Sequence, residues 1–428
     1  MSYQDGETSI VSSICIGSMM VYLLNEEYLN IETKPDISNN PLFFIYYLIP
    51  NFIRKILRRR YINKLDFKVK EDQEKGNFRC NYPLELSGWA LEMIMVLLIK
   101  KIVPNLYSIS MWPEPFNSSS ILTHDIEPTK YAYTDGIKQL METIKNQKNN
   151  RQTICLVSKF TEKYLIDSPE VLEWLKSQNI LSHGYKHISK SHLPIDKIFK
   201  MINKSKTTLN EFFSNSILGF RSPRLQRGNK IMQVLLELGF KYSTSCIDSD
   251  RENTSSWGGG VGMIHPYFPP IKTDGNLFQE QLLEIPVSAP DCIFPIFTNP
   301  SQDNLIKIHQ KKFSEISMLG GLYNSIIHAG VFNSEDSKIR MNLLTQMHDT
   351  IIKDNSTWFT SLDQIYSWWI ERHKIKIELK NNIINILSGS NMSKLQIIFY
   401  GNSNTTRQSM TDFLNQKIDF PNIKFTIN

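Results

Sequence analysis

Residues 118–160 read SSSILTHDIEPTKYAYTDGIKQLMETIKNQKNNRQTICLVSKF. A short strand-like push, SILTHD, gives way to the helix-like stretch TDGIKQLMETIKNQK and then to a second strand-like run, TICLVSKF. Two strands separated by a helix-length insert do not make a tight hairpin. They pair in parallel, with the helix as the crossover.

The same rhythm continues downstream. SPEVLEWLKSQN reads as a helix with Ser168 at its N-cap and Val171, Leu172, Trp174 and Leu175 on one face. ILSHG, ILGFRSP, KYSTSC, LLEIPVS, LYNSIIHAG and TWFTS read as strands. Between them, PIDKIFKMINKSKTTLNEFF, NKIMQVLLELG (ending on Gly239), residues 303–318, residues 335–353 and LDQIYSWWIER read as helices. About seven strand–helix units predict an α/β fold whose parallel sheet closes into a barrel. The last segment differs: KIKIELKNNIINIL alternates in strand fashion around an Asn-Asn turn, and LQIIFYG and NIKFTIN read as further strands. The chain therefore divides into an N-terminal extension over 1–117, a barrel over 118–374 and a small β-rich C-terminal appendage over 375–428. WGGGVG, at 257–262, is not followed by a helix and reads as a loop rather than a phosphate cradle.

Composition narrows the class. The 428 residues are 41% hydrophobic and 21% charged, an ordinary globular balance with enough material for a large core. The five cysteines, at 15, 80, 155, 246 and 292, form no CxxC pair, which gives no support to a zinc ribbon or a redox motif and fits a reducing compartment. The net charge of +6 has a local source. Arg54, Lys55, Arg58, Arg59, Arg60 and Lys64 crowd the segment NFIRKILRRRYINK, opposite a face of Phe52, Ile53, Ile56 and Leu57. Together with the aromatic-rich run LFFIYYLIP before it, residues 42–64 could rest on an anionic membrane surface, or pack on the main domain with a solvated basic face. No nucleic-acid module accompanies the patch, so no nucleic-acid partner is expected. The longest apolar run, MIMVLLI at 93–99, falls short of a membrane span. The opening MSYQDGET carries acids where a signal peptide is basic, so a cytoplasmic location is expected, with membrane association through 42–64.

In a parallel barrel the chemistry gathers where the strands end, because their following loops converge on one mouth. Asp125 and Glu127 end the first strand, His183 and His187 the third, Arg221 the next, and His328 a late one. Strand alternation puts Asp125 and Glu127 on one face and His124 and Ile126 on the other. One carboxylate of such a pair can bind a metal while the other handles protons. Two imidazoles four residues apart, plus a carboxylate from another strand, make a three-ligand site with open positions, the catalytic form for zinc. No GxSxG or HExxH motif occurs, which removes support for serine-hydrolase and zincin readings.

The succession LTHDIE, SHGYKH, GFRSP, LLEIP and IIHAG resembles the polysaccharide deacetylase family of carbohydrate esterases, over roughly 118–374. The resemblance implies a distorted (β/α)7 barrel that uses a divalent metal, most often Zn2+, to remove N- or O-acetyl groups from a glycan. It implies Asp125 as the base towards metal-activated water, Arg221 as the residue orienting that base, and His328 as the general acid. It implies Glu127, His183 and His187 as metal ligands, Glu127 standing at the second acid of the Asp-x-Asp spacing of a divergent branch, where the family's usual pair is adjacent. For the usual aspartate and tryptophan of the family's fourth motif, YSTSCIDSD offers only Asp248 or Asp250. Two alternatives stay open: hydrolysis of an amide bond in a small metabolite, and a non-catalytic carbohydrate-binding protein on the same fold.

Overall fold

The computed structural model describes residues 2–5, 8–11 and most of 106–427; residues 12–105, 248–263, 292–301, 410–423 and several shorter stretches lie outside the described residues. The basic segment 42–64, the apolar run 93–99, the glycine run 257–262, Asp248 and Asp250 therefore lie outside them too.

Nine parallel strands form the central sheet. They are β1 (Ser118–Ile126), β2 (Thr153–Leu156), β3 (Asn179–Ser182), β4 (Gly219–Phe220), β5 (Tyr242–Ser243), β6 (Leu283–Glu284), β7 (Ala289–Pro290), β8 (Leu322–Ile326) and β9 (Thr357–Phe359). Their order is β6-β5-β4-β3-β2-β1-β8-β7, with β9 also pairing to β1. The sheet curls as a distorted (β/α)7 barrel, but among the described residues β6 and β7 do not pair to close it. A single parallel bridge, Ile247 to Val287, lies near that seam.

Alternation along β1 explains the layers. Ile121 faces inward and joins Cys155, Leu181, Tyr242, Leu283 and Leu322 in the barrel interior. Leu122 and Ile126 face outward into the larger core shared with Ile137, Leu140 and Ile144 of α1 (Ile137–Ile144). All nine residues of β1 are buried, and each aliphatic side chain so buried contributes about 1.5–3 kcal/mol.

The remaining helices are α2 (Ser158–Tyr164), α3 (Pro169–Lys176), α4 (Ile195–Phe213), α5 (Asn229–Glu237), α6 (Gln302–Met318), α7 (Ser334–Ile352) and α8 (Leu362–His373). Three details depart from the sequence expectations. Ser158, Lys159 and Phe160 open a helix instead of extending β2, because Val157 is the last extended residue. Ser168 sits at the N-cap of α3 without a side-chain cap; Pro169, with its fixed φ, starts the helix instead. LLEIPVS does not make one strand: β6 takes Leu283 and Glu284, and the sheet resumes only at β7. Gly239 ends α5 with φ 70°, a left-handed conformation that glycine adopts without strain.

Beyond α8, Lys376–Lys380 and Ile383–Ser388 pair antiparallel, and Lys424–Ile427 adds in parallel; the Asn-Asn pair expected to turn between the first two lies outside the described residues. Gln396–Tyr400 pairs with Thr405–Ser409 and also with Leu106–Ile109, so the segment entering the barrel shares a sheet with the last part of the chain. Near the start of the chain, Ser2–Asp5 and Thr8–Val11 form an antiparallel pair. Among the described residues no helix is long and apolar enough to cross a membrane.

Candidate functional site

Asp125 is the last inward-facing residue of β1, on the row that carries Ile121. Arg221, directly after β4, has no exposed surface. Its Nη1 donates to Asp125 Oδ1 at 2.8 Å and to Thr123 Oγ1 at 2.7 Å. Its Nε donates to the Thr244 carbonyl at 3.1 Å and its Nη2 to Thr244 Oγ1 at 3.2 Å. Burial pushes the Asp125 carboxyl upward, but Arg221 and then His183 and His328 outweigh it, holding the group well below the ordinary carboxylate range.

His183 follows β3. Its Nδ1 lies 2.9 Å from the Arg221 carbonyl, which can only accept. The hydrogen therefore sits on Nδ1, and Nε2 presents its lone pair towards Asp125 Oδ2, 3.7 Å away. The His187 ring lies beside it, tilted by 60° with ring centroids 4.8 Å apart, and its Nε2 is 3.8 Å from Glu127 Oε2. Its backbone is left-handed, φ 53°, three residues after Gly184 at φ 79°. A non-glycine residue held there is strained, the kind of position that clusters at functional sites. Burial lowers both imidazoles, His187 to about 4, so that they are neutral donors at ordinary pH.

His328 lies just past β8, its Nε2 3.4 Å from Glu127 Oε1. Glu127 is raised by burial yet brought down to about 2 by its hydrogen bond to His328 and the charge of His187. On the far side of the ring, His328 Nδ1 lies 2.6 Å from Asp291 Oδ1, and the His328 backbone N–H donates to Asp291 Oδ2 at 2.9 Å. Arg340 of α7 donates to the same Asp291 oxygen.

The structure thus brings Asp125, Glu127, His183, His187, Arg221 and His328 together. His124 points the other way, as alternation predicts: its Nδ1 is 2.9 Å from the Ile327 carbonyl and its Nε2 3.3 Å from Gln152 Oε1. Asp291, at the end of β7, is the residue that sequence reasoning missed. The signal was present, an acid closing the strand of VSAPD as Asp125 closes β1, but β7 has only two residues and one is proline.

His187 Nε2 and Glu127 Oε2, 3.8 Å apart, have the chemistry and spacing of two ligands sharing one divalent cation with bonds of about 2 Å, and the Nε2 lone pair of His183 offers a third donor of the same type. Among the described residues, no group of three or more His, Cys, Asp or Glu side chains stands assembled to hold a metal ion. The donor types fit a divalent metal; a three-donor cage is not drawn together.

Residues 116–243, from β1 through β5, match the family model for polysaccharide deacetylase. Over that segment the chain is similar to a polysaccharide deacetylase domain. Among solved structures, a probable polysaccharide deacetylase from Pseudomonas aeruginosa is 15% identical, over 61% of this chain and 94% of its own, with a TM-score of 0.48. The PuuE allantoinase is 16% identical, over 61% of this chain and 93% of its own, with a TM-score of 0.48. A CE4-family pseudoenzyme from Bacillus anthracis is 11% identical, over 60% of this chain and 66% of its own, with a TM-score of 0.38. No curated protein matches the chain.

Proposed function

We propose that the chain is a metal-dependent hydrolase that removes N- or O-acetyl groups from a glycan. One observation carries this reading. Asp125 is clamped by Arg221, His328 is clamped by Asp291, and the two are linked to a set of metal-type donors through His183 and Glu127.

A divalent metal, zinc by donor type, held by Glu127, His183 and His187, would supply Lewis-acid polarisation of the acyl carbonyl and an acidified water. Asp125, kept ionised by Arg221, takes a proton from the attacking water. His328 delivers a proton from Nε2 to the departing amine or alkoxide, while Asp291 holds hydrogen on Nδ1 and supports the imidazolium. Residues 42–64 are proposed to contact an anionic membrane surface from the cytoplasmic side.

The test is acetate release by the full-length protein from a panel of N- and O-acetylated glycans, paired with elemental analysis. Acetate release with about one equivalent of divalent metal is expected. Metal binding without hydrolysis across the panel would replace this reading with that of a binding protein, and ring-opened or deamidated small amides would replace it with another hydrolase.

A further inference from the structure

Glu284 ends β6 with its side chain fully buried. Its Oε1 accepts two backbone N–H groups, from Ser245 and Cys246, each at 2.7 Å. These two donors follow Thr244, the residue that offers both its carbonyl and its Oγ1 to Arg221. Ser245 turns its own Oγ to accept the backbone N–H of Ser222, the residue after Arg221, at 2.9 Å. The loop leaving β5 is thus a socket around Arg221, and one carboxyl group on the neighbouring strand pins its floor.

We infer that Glu284 is a positioning residue: by holding the 244–246 backbone it fixes the Thr244 acceptors, through them the Arg221 guanidinium, and so the carboxylate of Asp125. For its catalytic readout this rests on the hydrolase reading above. A group that only braces the fold would affect stability when altered; one that sets Arg221 changes turnover and the environment of the guanidinium as well.

Glu284→Gln keeps an acceptor oxygen for both N–H groups, Glu284→Asp withdraws it by one methylene, and Glu284→Ala removes it. In the full-length protein Glu284→Ala and Glu284→Asp are expected to lower kcat by about 10–100-fold with KM within about threefold, whereas Glu284→Gln stays close to the parent, an effect of the size seen for supporting shells around other sites. Hydrogen exchange of the Arg221 Nε–H, followed by NMR, is expected to accelerate at least about tenfold in the Ala and Asp variants, because its acceptor carbonyl is no longer held. If Glu284→Ala does not fold, the Asp variant decides alone. Unchanged Arg221 exchange, or an unchanged kcat accompanied by a lower melting temperature, overturns the inference. If the parent releases no acetate, the hydrolase reading fails while the exchange measurement still decides the role of Glu284.

Discussion

Asp291 and His328 are joined twice, the carboxylate taking the backbone N–H of His328 at 2.9 Å and facing its ring Nδ1 at 2.6 Å. One acid therefore sets both where the imidazole hangs and which ring nitrogen carries hydrogen. Asp291→Asn places an amide that cannot accept on both sides. Turnover is expected to fall by about 10²–10⁴-fold, the range of a general acid's contribution, with KM little changed. Acetate-release kinetics on protein verified as folded by circular dichroism would check this; a loss under twofold would separate Asp291 from the chemistry.

The proposed base and the proposed ligands should fail in different ways. Asp125→Asn removes the proton acceptor and is expected to abolish turnover while metal content stays near one equivalent. His183→Ala is expected to lose the metal itself. Elemental analysis beside activity separates the two, and full activity in chelator-treated protein would contradict both expectations.

His309 of α6 provides a pH test away from the site. Its Nδ1 lies 2.8 Å from the Tyr323 hydroxyl, and burial, opposed by the charge of Asp291 and aided by Lys312, holds its imidazole down at about 4. The unfolded chain protonates the same ring near about 6.5. Unfolding therefore takes up a proton between these values, so the contribution is intact above about 6.5 and is lost as pH falls towards about 4. By linkage the loss is on the order of 3 kcal/mol. Denaturant midpoints measured from pH 7.5 to pH 4 should decline less steeply in His309→Gln; parallel curves would argue against the assignment.

Gly219 of β4 lies against the ring of Tyr242, and a Cβ there would stand 2.3 Å from Cε2. Tyr242 has no room to retreat, since it is fully buried and donates to Asp363 at 2.5 Å. Gly219→Ala is expected to cost about 1–3 kcal/mol by overpacking, read as a lower urea midpoint. Because Arg221 is two residues further on, activity should fall as well.

The fold was legible where periodicity was long. The helix Ile195–Phe213 follows from residues whose apolar positions repeat many times, and the two-residue alternation of a strand alone separated Asp125 from His124. Short elements were not legible. Seven-residue α2 begins with Ser158, Lys159 and Phe160, which also complete an apolar strand pattern, and its entry has no capping side chain to announce it. Asp291 was hidden for a related reason: a two-residue strand has no period, and only its pairing with β8 reveals that it ends at the mouth. The pairing of Gln396–Tyr400 with Leu106–Ile109 joins residues nearly three hundred positions apart, which local pattern does not encode.

The bearing of β1 on the rest of the molecule sets how the site should come apart. It is flanked along its length, by β2 through Thr123–Ile126, by β8 through Ser119–Thr123 and by β9 through Ser118–Ser120. His187, in contrast, sits beyond the end of β3 on a strained loop. Asp125 can thus be displaced only by opening β1 against three neighbouring strands, while His187 can leave by a local fluctuation of lower free energy. On gradual addition of denaturant, affinity for the proposed metal should fade first, at concentrations where the β1 amides are still closed to exchange.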